Sequence, residues 1–387
     1  MEGTDGIAIV AGSGVLCGLL TGLSISGCSR FGIVADRPNA VQAVHRRWAP
    51  RVGGVPIIAT LFAGLALWPS FPERTSAMIL FLCALPAFLA GLAEDVHGFV
   101  GPRWRLWATF AAAWIAWFAL DGKLTSVGVP GLDWVLGKYA IVAFLFTAFA
   151  VGGVAHAINI IDGFNGLSAC YCLICFAAYF VVATIVGDPL VQGLSLLFCG
   201  TLLGFLAWNF PFGRVFLGDG GAYLLGFSLG EISVLLVTRN PEVSPWFCFL
   251  VMAYPIWDTL FSYYRREVLR GQSWSAADAL HLHHLIYRRL VKPYRKEASG
   301  DVVLPNSMTS VYLWGLAILS AVPAVLFWDS TPLLMTFSGV FVVSYGLLYR
   351  SLATFRSPKM LRIEARRAAR RASPQTTVEY GNQRTLP

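Results

Sequence analysis

Six carboxylates of this 387-residue chain stand inside, or at the mouths of, long apolar runs: Glu94, Asp95, Asp162, Asp219, Glu231 and Asp258. Charge is costly in hydrocarbon, so groups kept there point to function better than surface charges do. In GLAEDVHGF the adjacent Glu94 and Asp95 close an apolar run. At a helix end they can grip a hard cation together or divide metal-binding and base roles; a solvated helix end is the plain alternative. In NIIDGFNGLSA, Asn159, Asp162 and Asn165 recur at intervals of three, and Gly163 and Gly166 free the backbone to turn. Such spacing suits contacts to the polar edges of a nucleotide. In NFPFGRVFLGDGGAYLLGF, Asp219 sits among Gly218, Gly220 and Gly221 where a helix begins. Its carboxylate can hold Mg²⁺ while backbone N–H groups and Arg214 meet phosphate oxygens, unless Asp219 is simply an N-cap.

The segment HLHHLIYRRL packs His281, His283 and His284 beside Arg288 and Arg289. No cysteine or acidic ligand stands at zinc-finger spacing, so a diphosphate-binding cluster is preferred over a metal site. His97 and His156, standing alone, read as structural. The loop ADRPNAVQAVHRRWAPRVGGVP, with His45 and Arg51, reads equally as a phosphate-facing loop or a positive-inside anchor.

The elements that must position these groups are membrane helices. The chain is 56% hydrophobic and 13% charged, too apolar for a soluble domain of this size. Apolar runs near 6–27, 53–70, 76–93, 105–121, 139–158, 166–186, 189–209, 219–238, 246–264, 308–328 and 332–350 approach the ~20 residues needed to cross a bilayer. They are continuous rather than alternating, which predicts an all-α polytopic bundle of about eleven transmembrane helices and excludes a β-barrel. Of the 29 Lys and Arg, all but Arg74, Lys123, Lys138 and Arg239 fall in 28–51, 94–105, 210–218, 265–307 and from 350 onward. The positive-inside bias then puts the N-terminus outside and the C-terminus in the cytoplasm. Five of the six carboxylates land on the cytoplasmic side, although they were no input to that orientation; Glu231 is the exception, with no role beyond an interhelical hydrogen bond. The net charge of +8 is topological and calls for no nucleic-acid partner. The first run reads as a retained helix, and the eight cysteines as small buried hydrophobes. One membrane domain is expected over 1–352. A basic tail, 353–387, would lie on anionic lipid as an interfacial helix or stay solvated and disordered.

In order, DRPNAVQAVHRRWAPRVGG, GLAEDVHGF, NIIDGFNGLSA, NFPFGRVFLGDGG, PIWDTL and HLHH resemble the polyprenyl-phosphate N-acetylhexosamine-1-phosphate transferases over about residues 30–290. HLHH is similar to the branch using UDP-GlcNAc or related UDP-N-acetylsugars, rather than the UDP-MurNAc-pentapeptide branch with three consecutive histidines. The resemblance implies Mg²⁺ or Mn²⁺, undecaprenyl phosphate as acceptor, UMP as by-product and a lipid-linked sugar diphosphate as product. It casts Asp219 as magnesium ligand, Asp95 as the second acid of a metal-binding pair, and Asp162 as an active-site acid. Asn159, Asn165 and Phe216 would surround the nucleotide, and His281, His283 and His284 the diphosphate. Glu94 departs from the family's first Asp, and Asn165 stands where many members have a second Asp.

Both substrates would be anionic, so metal and donors must neutralise their repulsion as a lipid phosphate oxygen approaches the β-phosphorus. The expected setting is a bacterial inner membrane, multi-pass, with the site facing the cytoplasm; a homodimer is compatible with it. The product would initiate a surface glycan such as O-antigen. A transporter is the rival reading, but would favour mid-membrane acids and repeated halves.

Overall fold

The computed structural model describes residues 3–31, 49–269, 271, 280–291 and 303–354, leaving His45 and most of the basic tail outside the described residues. The described regular elements are helical. They are α1 (Gly3–Phe31), α2 (Gly54–Leu67), α3 (Arg74–His97), α4 (Pro102–Ala119), α5 (Pro130–Lys138), α6 (Ala140–Ile161), α7 (Leu167–Val186), α8 (Pro189–Asn209), α9 (Gly218–Arg239), α10 (Pro245–Val251), α11 (Ala253–Tyr264), α12 (Leu282–Ile286), α13 (Val303–Leu326) and α14 (Thr331–Ala353). Single π-turns, Arg265–Leu269 and Tyr287–Val291, follow α11 and α12.

Each of the eleven expected runs coincides with helix, but among the described residues eight helices are long and apolar enough to cross a membrane: α1, α3, α6, α7, α8, α9, α13 and α14. Helix α2 has 14 residues, or about 21 Å, against a hydrocarbon core of about 30 Å. The run 246–264 is divided at Met252 into α10 and α11. Pro255 lacks an N–H and its ring would clash with the carbonyl four residues back. That carbonyl, on Val251, accepts instead from the Tyr171 hydroxyl at 2.8 Å.

Helix α9 is the hub. Its neighbours close on it where side chains are smallest, because in lipid helix association depends on close van der Waals packing. Gly226 and Gly230 seat against the backbone of Ala155 and Val151 on α6, and a Cβ on Gly91 of α3 would come within 2.6 Å of the Asp219 backbone. Helices α1 and α8 use the same device, with Gly14 and Gly18 against Gly200 and Gly204. At the far end of α9, Arg239 pairs with Asp188 at 2.8 Å and Glu73 at 2.5 Å, and Asp188 caps α8 through the Val191 N–H.

Glu231 is fully buried on α9, and neither carboxylate oxygen has a hydrogen-bond partner. The expected interhelical hydrogen bond is therefore not made. The cysteines are buried or half-buried and free, as expected of small hydrophobes.

Candidate active site

The glycine-flanked start of α9 brings four elements together. Gly218 has φ +76°, and a Cβ there would lie 2.6 Å from an Asp95 oxygen, so close approach and backbone twist both require glycine. Asp95, on the last turn of α3 with its side chain 2% exposed, accepts the N–H groups of Asp219 and Gly220, each at 2.9 Å. The helix is thus capped by a carboxylate from another helix, and these two N–H groups are not open to a phosphate as the sequence reading had them. The Asp219 carboxylate is met by Asn159 Nδ2 at 2.9 Å, by Arg51 at 3.5 Å and by an ion pair to Arg105. Arg51 also lies 3.5 Å from Asp95. It is held there by backbone hydrogen bonds that link Pro50, Gly53 and Gly54 to Phe216 and Leu217. Arg214 is exposed and lies over the Trp208 and Phe212 rings, 5.7 Å from each centroid.

Asp162 caps the end of α6, where the Ser168 hydroxyl donates to it. Burial pushes its carboxyl up to about 6, with the Ser168 hydrogen bond and the Arg51 charge opposing. The turn that follows is clamped from two sides. Asn209 accepts the Gly166 N–H at 2.6 Å and donates to the Val215 carbonyl at 2.7 Å. From α13, Asn306 accepts the Asn165 N–H at 2.7 Å, Ser310 donates to the Asn165 carbonyl at 2.7 Å, and Trp314 donates to the Gly166 carbonyl at 3.1 Å. Asn165 itself is 2% exposed, with its amide nitrogen donating to the Pro211 carbonyl at 3.1 Å.

The histidines form a buried cluster beside this turn. Phe164 packs against His283 and His284 with centroids 5.6 and 5.8 Å apart. A Cβ on Gly163 would lie 3.7 Å from His283 Nε2. His281 Nδ1 lies 2.7 Å from Asp258, and Tyr254 meets His283 Nδ1 at 3.3 Å. Burial, aided by His284, holds His283 well below the usual histidine range.

The structure brings Asp95, Asn159, Asp219 and Arg51 into contact, and sets Asp162, Asn165 and the histidines around one adjoining turn. Arg105 was missed. It reads in sequence as a positive-inside residue, but it lies on the first turn of α4, 8% exposed, and reaches Asp219. His156, set aside as structural, meets the Tyr223 hydroxyl at 3.1 Å, while Arg105 lies over the Tyr223 ring. It is within electrostatic range of Arg105, Arg266 and His281.

Among the described residues no group of three or more His, Cys, Asp or Glu could hold a metal. Mg²⁺ needs no such cage, since it commonly takes one or two carboxylates and fills its shell with water and substrate phosphates. Asp219 offers a hard carboxylate neutralised by arginine, and Glu94 has a buried Oε2 without a hydrogen-bond partner. This donor chemistry fits a magnesium ion that shares its ligands with substrate.

A helical membrane protein with an arginine-compensated carboxylate at the root of its central helix has the makings of an enzyme acting on anionic substrates at the bilayer surface. The comparisons narrow that class. The family model described as Glycosyl transferase family 4 matches residues 77–237. The chain is 31% identical over 253 residues to a probable undecaprenyl-phosphate N-acetylglucosaminyl 1-phosphate transferase of Bacillus subtilis, covering 64% of this chain and 68% of that protein. It is 30% identical over 257 residues to an undecaprenyl-phosphate alpha-N-acetylglucosaminyl 1-phosphate transferase of Thermotoga maritima, covering 66% and 74%. It is 28% identical over 291 residues to a decaprenyl-phosphate N-acetylglucosaminephosphotransferase of Mycobacterium leprae, covering 65% and 71%. The chain belongs to the polyprenyl-phosphate N-acetylhexosamine-1-phosphate transferase family.

Proposed function

We propose that the protein transfers an N-acetylhexosamine 1-phosphate from its UDP-sugar to undecaprenyl phosphate, releasing UMP and leaving a lipid-linked sugar diphosphate. The observation that carries this reading is Asp219 at the start of α9, ringed by Arg51, Arg105 and Asn159 and braced by Asp95. Two anionic reactants meet only where their repulsion is cancelled. When bound, Mg²⁺ supplies Lewis-acid neutralisation of the diphosphate, and Asp219, with Glu94 or Asp95 beside it, would hold it. Arg51 and Arg105, paired here with the Asp219 carboxylate, carry the N–H donors that would meet phosphate oxygens of the substrates. Asp162 and the histidines line the adjoining turn, where the nucleotide and diphosphate would lie.

The basic segments favour a cytoplasmic site in a bacterial inner membrane, with the N-terminus outside. There the product would be the first lipid-linked intermediate of a surface glycan such as O-antigen. N-acetylglucosamine is the sugar that the three relatives' names favour. Purified protein with undecaprenyl phosphate, Mg²⁺ and a panel of UDP-N-acetylsugars should release UMP from one donor and stop when a chelator is added. Folded protein that releases no UMP from any donor in the panel would count against this reading.

A further inference from the structure

Three elements converge on one buried carboxylate that the reaction outlined above leaves without a role. Asp258, on α11 and 1% exposed, accepts from His281 Nδ1 at 2.7 Å, from the Leu282 N–H at 3.0 Å and from the Tyr345 hydroxyl of α14 at 2.5 Å. The same carboxylate thus fixes the His281 ring and caps the short helix α12 that follows it. With Nδ1 committed to Asp258, that carboxylate sets the orientation of the His281 ring and the tautomer it presents. The neighbouring His283 is placed differently: it is 1% exposed, its Nδ1 faces Tyr254, and its Nε2 lies against the Gly163 turn.

We propose that Asp258 and Tyr345 are positioning residues that fix the His281 ring as a donor toward a substrate phosphate, whereas His283 is a framework residue joining α12 to the 163–166 turn. This rests on the transferase reading. Burial, aided by His284, lowers the proton affinity of His283, which agrees with a framework role. Among the described residues, Asp258 of α11, His283 and His284 of α12, and Tyr345 of α14 through Asp258 are placed against His281, with His156 of α6 within electrostatic range. Of these described groups, Asp258 is the anion.

The test pairs UMP release with ¹⁵N-histidine NMR of the full-length protein in detergent, where His281→Gln identifies the His281 signal. Asp258→Asn keeps an acceptor for the Leu282 N–H but removes the charge. It should lower kcat roughly 10–100-fold. It should also move the His281 Nδ1 resonance, because the hydrogen bond from that nitrogen loses its charged acceptor. Tyr345→Phe should shift both the same way by less, and carries the test if Asp258→Asn does not fold. A His281 Nδ1 resonance that stays put in the folded variants overturns the proposal whether or not the wild type turns over. A shifted resonance in a wild-type background that releases no UMP supports the positioning pair and counts against the transferase reading alone.

Discussion

Asp219 and Asp258 are both carboxylates beside cationic side chains, yet they are built for opposite ends. Asp219, with its side chain 15% exposed, is met by two arginines and an amide from three segments, Arg51 at a loose 3.5 Å and itself 41% exposed. Asp258 is almost wholly enclosed and takes three donors, two from the start of α12 and one from α14. Partners of the first kind can be exchanged for a metal or a phosphate at small cost, because water and side chains can rearrange around them. Partners of the second kind are a frame, since breaking a fully desolvated pair strands a buried charge. The chain thus separates where charge is traded from where geometry is fixed, and the 163–166 turn joins the two.

The largest break in that comparison should come from Asp219→Asn. Losing the carboxylate removes the proposed metal ligand and leaves Arg105 buried without its counter-charge, so UMP release should fall by more than about 1,000-fold in protein that still elutes as a folded species. Retained activity would remove Asp219 from the centre of the site. Next is Arg105→Gln, which should cost about 100-fold in kcat/KM, as loss of one preorganised donor to developing charge does. Arg105→Lys should recover part of this, because the charge returns without the planar fork. If the Gln variant instead matches the wild type, Arg105 is only a structural counter-ion.

Much of the exchanging cluster was legible in sequence because its members sit where the hydropathy pattern breaks: Asp95, Asn159, Asp162 and Asp219 each punctuate an apolar run. Arg105 was not, since an arginine beside an apolar run has a ready explanation in membrane topology, and only the packing of α4 beside α9 brings it to Asp219. The framing cluster was less legible. Asp258 and the histidines stood out as polar groups, but Tyr345 lies 87 residues from Asp258, and nothing in a tyrosine within an apolar helix announces a partner. The stripe Asn306, Ser310 and Trp314, which holds the Asn165–Gly166 backbone, follows a period of four on α13 and could have been noticed as a polar face. Among the described residues eight rather than eleven helices are long and apolar enough to span, because Pro255 divides one run, α2 is short, and α4 has 18 residues with Arg103 and Arg105 near its start.

A smaller effect should sharpen the boundary between the clusters. Asp162 lies at the turn they share, with its carboxyl raised to about 6 by burial. Its ionised form is lost as pH falls through that value, so the acid limb of UMP release should have a midpoint near 6, and Asp162→Asn should be slower and flat across it. Ser168 opposes the upward shift by donating to the carboxylate. Ser168→Ala should therefore move the limb to higher pH; an unmoved limb would assign it to another group.

The smallest effect on turnover is expected at Glu231, which belongs to neither cluster. It lies on α9 twelve residues from Asp219, about 18 Å along the axis, and neither carboxylate oxygen has a hydrogen-bond partner. An unpartnered buried acid costs stability, and an apolar replacement of similar size removes that cost at the risk of local repacking. Glu231→Leu should accordingly leave UMP release within about twofold while raising the thermal midpoint, with a gain of about 1–3 kcal/mol. Glu231→Gln should gain less, since an amide is still a polar group without partners. A loss of turnover in both variants, with stability unchanged, would break the two-cluster picture. It would mean that a carboxylate far from the phosphates couples to the site through α9, whose root carries Asp219.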